Sequence, residues 1–221
     1  MLKMTLVVVG LGSSYQDAIE RLKSDAKICD WIEDIIIFDD INQIIDIPSK
    51  KSINQLIKYF NKGMGLWSWK PTFIYQVSSQ VSEDKIILYI DAGVEINHYG
   101  IQTLVNLVPE ILANKIIVTK TNKLELLYTN KSILGNCFSF DIFRHLFSRQ
   151  IQAGVIVFKN SKENRSFIKI WKEAVYRNKF EALTSCNLFG NYIGENRHDQ
   201  SVFSMLLKKR KKYVVIGPPP N

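Results

Sequence analysis

Hydrophobic positions along the chain switch between strand-like runs and helical stripes. Residues 4–9 form a short β-branched apolar run, the pattern of a buried first strand. Residues 15–26 then place Ala18, Ile19, Leu22 and Ala26 on one helical stripe. Residues 34–38 predict a second strand, ending on Asp39 and Asp40. Helical spacing returns at Ile53, Leu56, Ile57 and Phe60 within residues 51–60. Gly63 and Gly65 mark a turn, and Pro71 predicts the opening of a helix to residue 81. A strand to Ile90, a helix over 99–113 and a strand over 115–118 follow. Residues 119–149 carry no clear period. A strand over 151–158, a helix over 162–177 and a helix over 200–212 complete the pattern. The polar stretch 181–197 reads as a long loop, and loops of that length commonly carry function. The Gly-Pro-Pro-Pro-Asn end, 217–221, cannot extend a helix and reads as the edge of the domain. Strands alternating with helices predict one α/β domain over 1–221, a mostly parallel central sheet with helices on both faces.

Composition narrows the picture. A chain of 221 residues, 46% hydrophobic, can build one sizeable core. No apolar run is long enough to span a bilayer, and the first ten residues lack a secretory layout. Cys29, Cys137 and Cys186 lie far apart without paired spacing, which argues against a zinc site or a disulfide framework and for a cytoplasmic protein. A formal charge of +8 favours a polyanionic partner: nucleotide phosphates, nucleic acid or an anionic membrane face. Lys208, Lys209, Arg210, Lys211 and Lys212 concentrate that charge, as a solvated helix end or as a peripheral contact with lipid headgroups. No interleaved basic and aromatic stripe supports nucleic-acid binding.

Four segments could carry chemistry. In residues 87–95 an apolar strand runs into Asp91, then Ala92, Gly93 and Glu95. That order puts a carboxylate at the rim of a parallel sheet, with small residues leaving room for a bulky charged ligand. A nucleotide diphosphate, with or without a divalent cation, suits it best. The first loop, Gly10-x-Gly12, suggests contact with a base or ribose, but Tyr15 stands where a dinucleotide fingerprint needs its third glycine. In Gly65-Leu-Trp-Ser-Trp-Lys-Pro, an extended backbone would put Trp67 and Trp69 on one face to wall a pocket, with Lys70 neutralising phosphate. Gln152, Ala153 and Gly154 at a strand head suit a polyhydroxy ligand. Finally, His198, Asp199 and Gln200 precede a helix, where Asp199 can cap it or take a proton from an acceptor hydroxyl. No serine sits in a nucleophile elbow, and His98 and His145 show no metal-ligand spacing with His198.

Taken in order, these segments resemble a group of bacterial and viral sugar-transferring proteins of the GT-A glycosyltransferase class. The resemblance rests on Gly65 to Pro71, Tyr89 to Asn97, Gln150 to Gly154 and Arg197 to Ser201. It implies transfer of a sugar from an NDP-sugar to a hydroxyl of a cell-surface glycan acceptor, while the basic run suggests peripheral attachment at the inner membrane face, where lipid-linked acceptors would lie. It implies that Asp91 leads an Asp-x-Asp-like motif whose second carboxylate is replaced by Gly93, with Glu95 substituting as a ligand for Mn²⁺ or Mg²⁺ or Asp91 binding through water. Lys70 would meet the diphosphate, Gln152 and Gly154 would line the sugar or acceptor side, and Asp199, with His198 and Gln200, would face the acceptor hydroxyl. A protein that binds nucleotide-sugar or glycan without catalysis is the alternative.

Overall fold

The computed structural model describes residues 3–136, 143–187, 189–190 and 192–216. The 217–221 end and Cys137 lie outside the described residues. The described residues form six strands: Met4–Val9 (β1), Ile32–Phe38 (β2), Ile86–Asp91 (β3), Ile116–Leu124 (β4), Arg149–Lys159 (β5) and Tyr213–Ile216 (β6). They form one sheet in the order β2-β1-β3-β5-β4-β6. Neighbours are parallel except at β5, which runs antiparallel to both β3 and β4. The expected mostly parallel α/β sheet is there, with one strand reversed.

Both faces of β1 and β3 are covered. Leu6, Val8, Leu88 and Ile90 pack with Ile19 and Leu22 of helix Gln16–Lys27 on one side. Val7, Val9, Ile87 and Tyr89 pack with Phe73, Trp171 and Phe203 on the other. Two-sided burial is why these strands read as unbroken apolar runs rather than as alternation.

The helices depart from expectation where proline or short length intervenes. The expected helix over 99–113 is two helices, His98–Asn106 and Val108–Leu112, broken before Pro109. Proline lacks an N–H, so Pro109 sits in the first turn of a new helix rather than inside a continuing one. Helix Ile47–Tyr59 starts earlier than its apolar stripe, with a proline in its first turn. Residues 119–149 hold the end of β4 and the short helices Glu125–Tyr128, Lys131–Asn136 and Phe143–Leu146, each too short to show a period.

The C-terminal helix, Asp199–Arg210, is fastened from within. Glu125 is fully buried and accepts from Ser204, Thr129 and Gln150. Lys208 reaches the same carboxylate at 2.7 Å and the Arg149 carbonyl at 2.9 Å. Arg210 donates to Asn164 at 2.6 Å and lies over the Phe167 ring. The basic run is therefore not one solvated face: Lys208 and Arg210 turn inward, leaving Lys209, Lys211 and Lys212 exposed. Among the described residues no helix is long and apolar enough to cross a membrane. Ser204 also accepts from the Ile151 amide at 2.8 Å, tying this helix to β5. Ser204→Ala is expected to cost about 1–3 kcal/mol, read as a lowered urea midpoint with an unchanged slope, because it leaves a buried N–H unpaired.

Candidate active site

β1 and β3 end side by side, and the loops that leave them touch. A Cβ on Gly10 would meet Ala92 Cβ at 3.0 Å and Tyr15 Cβ at 2.8 Å, so only glycine allows this approach. Gly10 thus serves loop packing. Gly12 has φ 97°, in the region that favours glycine. Gly93 faces open space, with nothing within 4 Å of a Cβ built there. Arg21 supports this loop from below, donating to the Val94 carbonyl at 3.2 Å and pairing with Glu95 at 3.5 Å. At the end of β2, Asp40 is taken up as a helix cap, accepting from the Asn42 amide at 2.8 Å.

The tryptophan segment is not extended. Met64, Leu66 and Trp67 have φ of 45°, 60° and 57°, and together with Gly63 and Gly65 they curl the chain into a tight turn. Trp69 consequently lies in the core against Phe73 and donates its indole N–H to the Gly63 carbonyl at 3.0 Å. The two tryptophans do not share a face, and Trp67 alone borders the cleft, its ring near-parallel to that of His198 at 6.1 Å. Helix Trp69–Gln80 opens at Trp69, two residues before Pro71. Pro71 is tolerated there because first-turn N–H groups have no intrahelical acceptor.

The turn drives Lys70 beneath the rim. Its ammonium lies 3.0 Å from the Asp91 carboxylate, 3.2 Å from the Ala153 carbonyl and 3.5 Å from Asp199 Oδ2. Two of these, to Asp91 and the Ala153 carbonyl, are hydrogen bonds, and the contact with Asp199 is an ion pair. The side chain is 5% exposed and lies at the floor of the cleft, where Lys70 holds the two carboxylates together. Burial would lower its pKa, but Asp199 and Asp91 outweigh that and the net direction is upward. Asp91 also accepts from the Tyr89 hydroxyl. Gly154 makes room for this carboxylate, since a Cβ there would lie 3.1 Å from Asp91 Oδ2.

Asp199 is the first residue of its helix, with a side chain only 4% exposed and an Oδ2 that has no hydrogen-bond partner. One ammonium between two carboxylates leaves one negative charge in excess. Burial pushes the Asp199 pKa up to about 7, with Lys70 opposing and Asp91 adding repulsion. His198 holds an unusual backbone, φ 52° and ψ −120°. Its Nδ1 lies 2.8 Å from the Leu183 carbonyl, so it must be the donor, and in the neutral ring Nε2 is then an unprotonated acceptor without a partner. Burial pushes the His198 pKa below its ordinary value.

The amides divide. Gln200 donates to Gln150 at 2.6 Å beside this cleft. Gln152 instead accepts from Thr119 at 2.6 Å, and Thr119 lines an apolar cleft with Leu88 and Ile90 on the other side of the sheet. Gln152 is thus turned away from Lys70 and Asp199, and Gln150 stands nearer to them. The cleft itself is polar, about 200 Å³, and bordered by Lys62, Trp67, Asp91, Arg197, His198 and Gln200. Tyr89, Gln150, Arg21 and Lys62 were not foreseen as site residues. Of these Tyr89 was readable, since it stands two residues before Asp91 on one strand and so shares its face.

The residues present do not fit an Asp91–Glu95 metal site. Asp91 is engaged by Lys70 and Tyr89, Glu95 is drawn to Arg21, and Gly93 supplies no oxygen. Among the described residues no three His, Cys, Asp or Glu side chains converge as a ligand set.

No protein-family profile matches the sequence, and no curated protein matches it. Solved structures do. A glycosyltransferase involved in glycosylation of the major capsid of PBCV-1 superposes with TM-score 0.54 at 12% identity, covering 98% of this chain and 83% of that one. The glycosyltransferase GlyE of Streptococcus pneumoniae TIGR4 gives 0.50 at 17% identity, covering 98% of this chain but 45% of its own. Mouse xyloside xylosyltransferase 1 gives 0.50 at 9% identity, covering 97% and 85%. At such identities the likeness is one of fold, and the chain has the mixed α/β fold of GT-A glycosyltransferases.

Proposed function

We propose that this chain is a glycosyltransferase that moves a sugar from an NDP-sugar to a hydroxyl of a glycan acceptor. One observation carries the reading: at the rim of a GT-A sheet, Lys70 holds Asp91 and the buried Asp199 together beside Trp67 in a polar cleft. Carboxylates and amides suit sugar hydroxyls, and an aromatic face suits the apolar side of a sugar ring. The donor would lie over the loops at Gly12, Ala92 and Gly93, with Lys62 and Arg197 at the cleft to meet its phosphates. Asp199, poised near neutrality, is the group to take the acceptor proton. His198, with its lone acceptor nitrogen, would orient that hydroxyl.

A thermal-shift panel of UDP, GDP, CMP and dTDP species tests the donor half. One nucleotide is expected to raise the melting temperature by mass action, and Trp67→Ala to retain the nucleotide shift while losing affinity for the sugar. No shift with any nucleotide would sink the donor reading. Binding without turnover would favour the non-catalytic alternative, for which the open Gly93 position speaks.

A further inference from the structure

We infer that Lys70 takes the place of the divalent cation in this site, so that donor binding needs neither Mn²⁺ nor Mg²⁺. The inference rests on the nucleotide-sugar reading above. The Lys70 ammonium lies between the Asp91 and Asp199 carboxylates, at 3.0 and 3.5 Å, where an ion bridging those carboxylates would sit. It is fixed there by a third contact, the Ala153 carbonyl at 3.2 Å, and by a helix turn whose Trp69 is anchored in the core. Pushing it aside would strand a buried ammonium without acceptors, which is costly. A hard divalent cation needs several oxygen ligands. Asp91 has its oxygens engaged by Lys70 and Tyr89. Position 93 is glycine, and Glu95 is exposed and paired with Arg21.

The charge a metal would bring is thus divided. Lys70 offsets the carboxylates that would otherwise repel a diphosphate. Lys62 and Arg197, which border the same cleft, are left to face the phosphates. Lys62 is itself held by Glu195, a tether that fixes it at the rim.

The test titrates Mn²⁺ alone into the full chain by calorimetry and electron paramagnetic resonance, for wild type, Asp91→Asn and Lys70→Met. The nucleotide panel is then repeated with Mn²⁺ or EDTA. Wild type is expected to show no saturable Mn²⁺ site below roughly 1 mM, the weak end of protein cation sites. The nucleotide shift is expected to be the same in EDTA. Lys70→Met, with two carboxylates facing one another, is expected to gain Mn²⁺ binding and to melt higher with Mn²⁺ present. A wild-type Mn²⁺ site that Asp91→Asn abolishes, nucleotide binding that EDTA removes, or a folded Lys70→Met that ignores Mn²⁺ each overturns the inference. If Lys70→Met does not fold, the wild-type titration and the EDTA arm decide. If no nucleotide binds at all, the donor reading falls, and the Mn²⁺ titrations alone decide this one.

Discussion

The Lys70→Met variant is expected to be about 3–5 kcal/mol less stable than wild type at neutral pH, the usual cost of removing one partner of a buried ion pair. Methionine fills much the same volume, so the loss is one of charge. Without the ammonium, Asp199 at 4% exposure loses the charge that opposes the upward push of burial, so it binds its proton still more tightly when folded. A carboxylate whose folded pKa is raised contributes stability that is complete below its unfolded value and is lost as pH rises through its folded value. The deficit of the variant should therefore shrink as pH falls towards about 4. Urea unfolding at acid and alkaline pH measures this. An equal deficit at both ends would mean that packing around the lysine stem, not the shared charge, is what Lys70 supplies.

Asp199→Asn is expected to separate activity from stability. Asparagine has the shape of a protonated aspartic acid, a form that Asp199 partly takes at neutral pH, so the variant should fold. Turnover should fall by about 10²–10⁴, the range for loss of a general base. In wild type kcat/KM should climb with pH through about 7, as Asp199 ionises. Stability should move the opposite way, declining as pH rises from the ordinary carboxylate value of 3.8 towards about 7. The asparagine variant should show neither slope. A variant that keeps full turnover would remove Asp199 from the proton transfer.

The sheet was readable because its central strands are buried on both faces and so appear as unbroken apolar runs. The reversal of β5 was not, because direction leaves no mark on a period-two pattern. At Gly65 to Pro71 the expected extended backbone is instead a tight turn. Leu66 and Trp67, with Met64 just before them, have positive φ and turn the chain there, and side-chain spacing carries no trace of that. The Asp91–Lys70–Asp199 cluster joins residues far apart in sequence, so spacing could nominate each member but not their partnership. The polar stretch 181–197, expected as a loop, opens with the short helix Glu181–Thr184, and its asparagines act as fasteners. Asn187 donates to the Ile193 carbonyl at 2.9 Å, and Asn196 to the Leu183 and Ser185 carbonyls at 3.0 and 3.1 Å. Buried backbone carbonyls need such donors when no helix or sheet supplies them.

β4 and β5 run on past the last pair shared with β3, Ile90 with Val155, until Leu124 meets Arg149. The excursion between them therefore leaves and re-enters the sheet at adjacent residues. A segment with its two ends already clamped side by side can be lengthened at small entropic cost to the frame beneath, so long as its buried Glu125 and Leu134 keep their places.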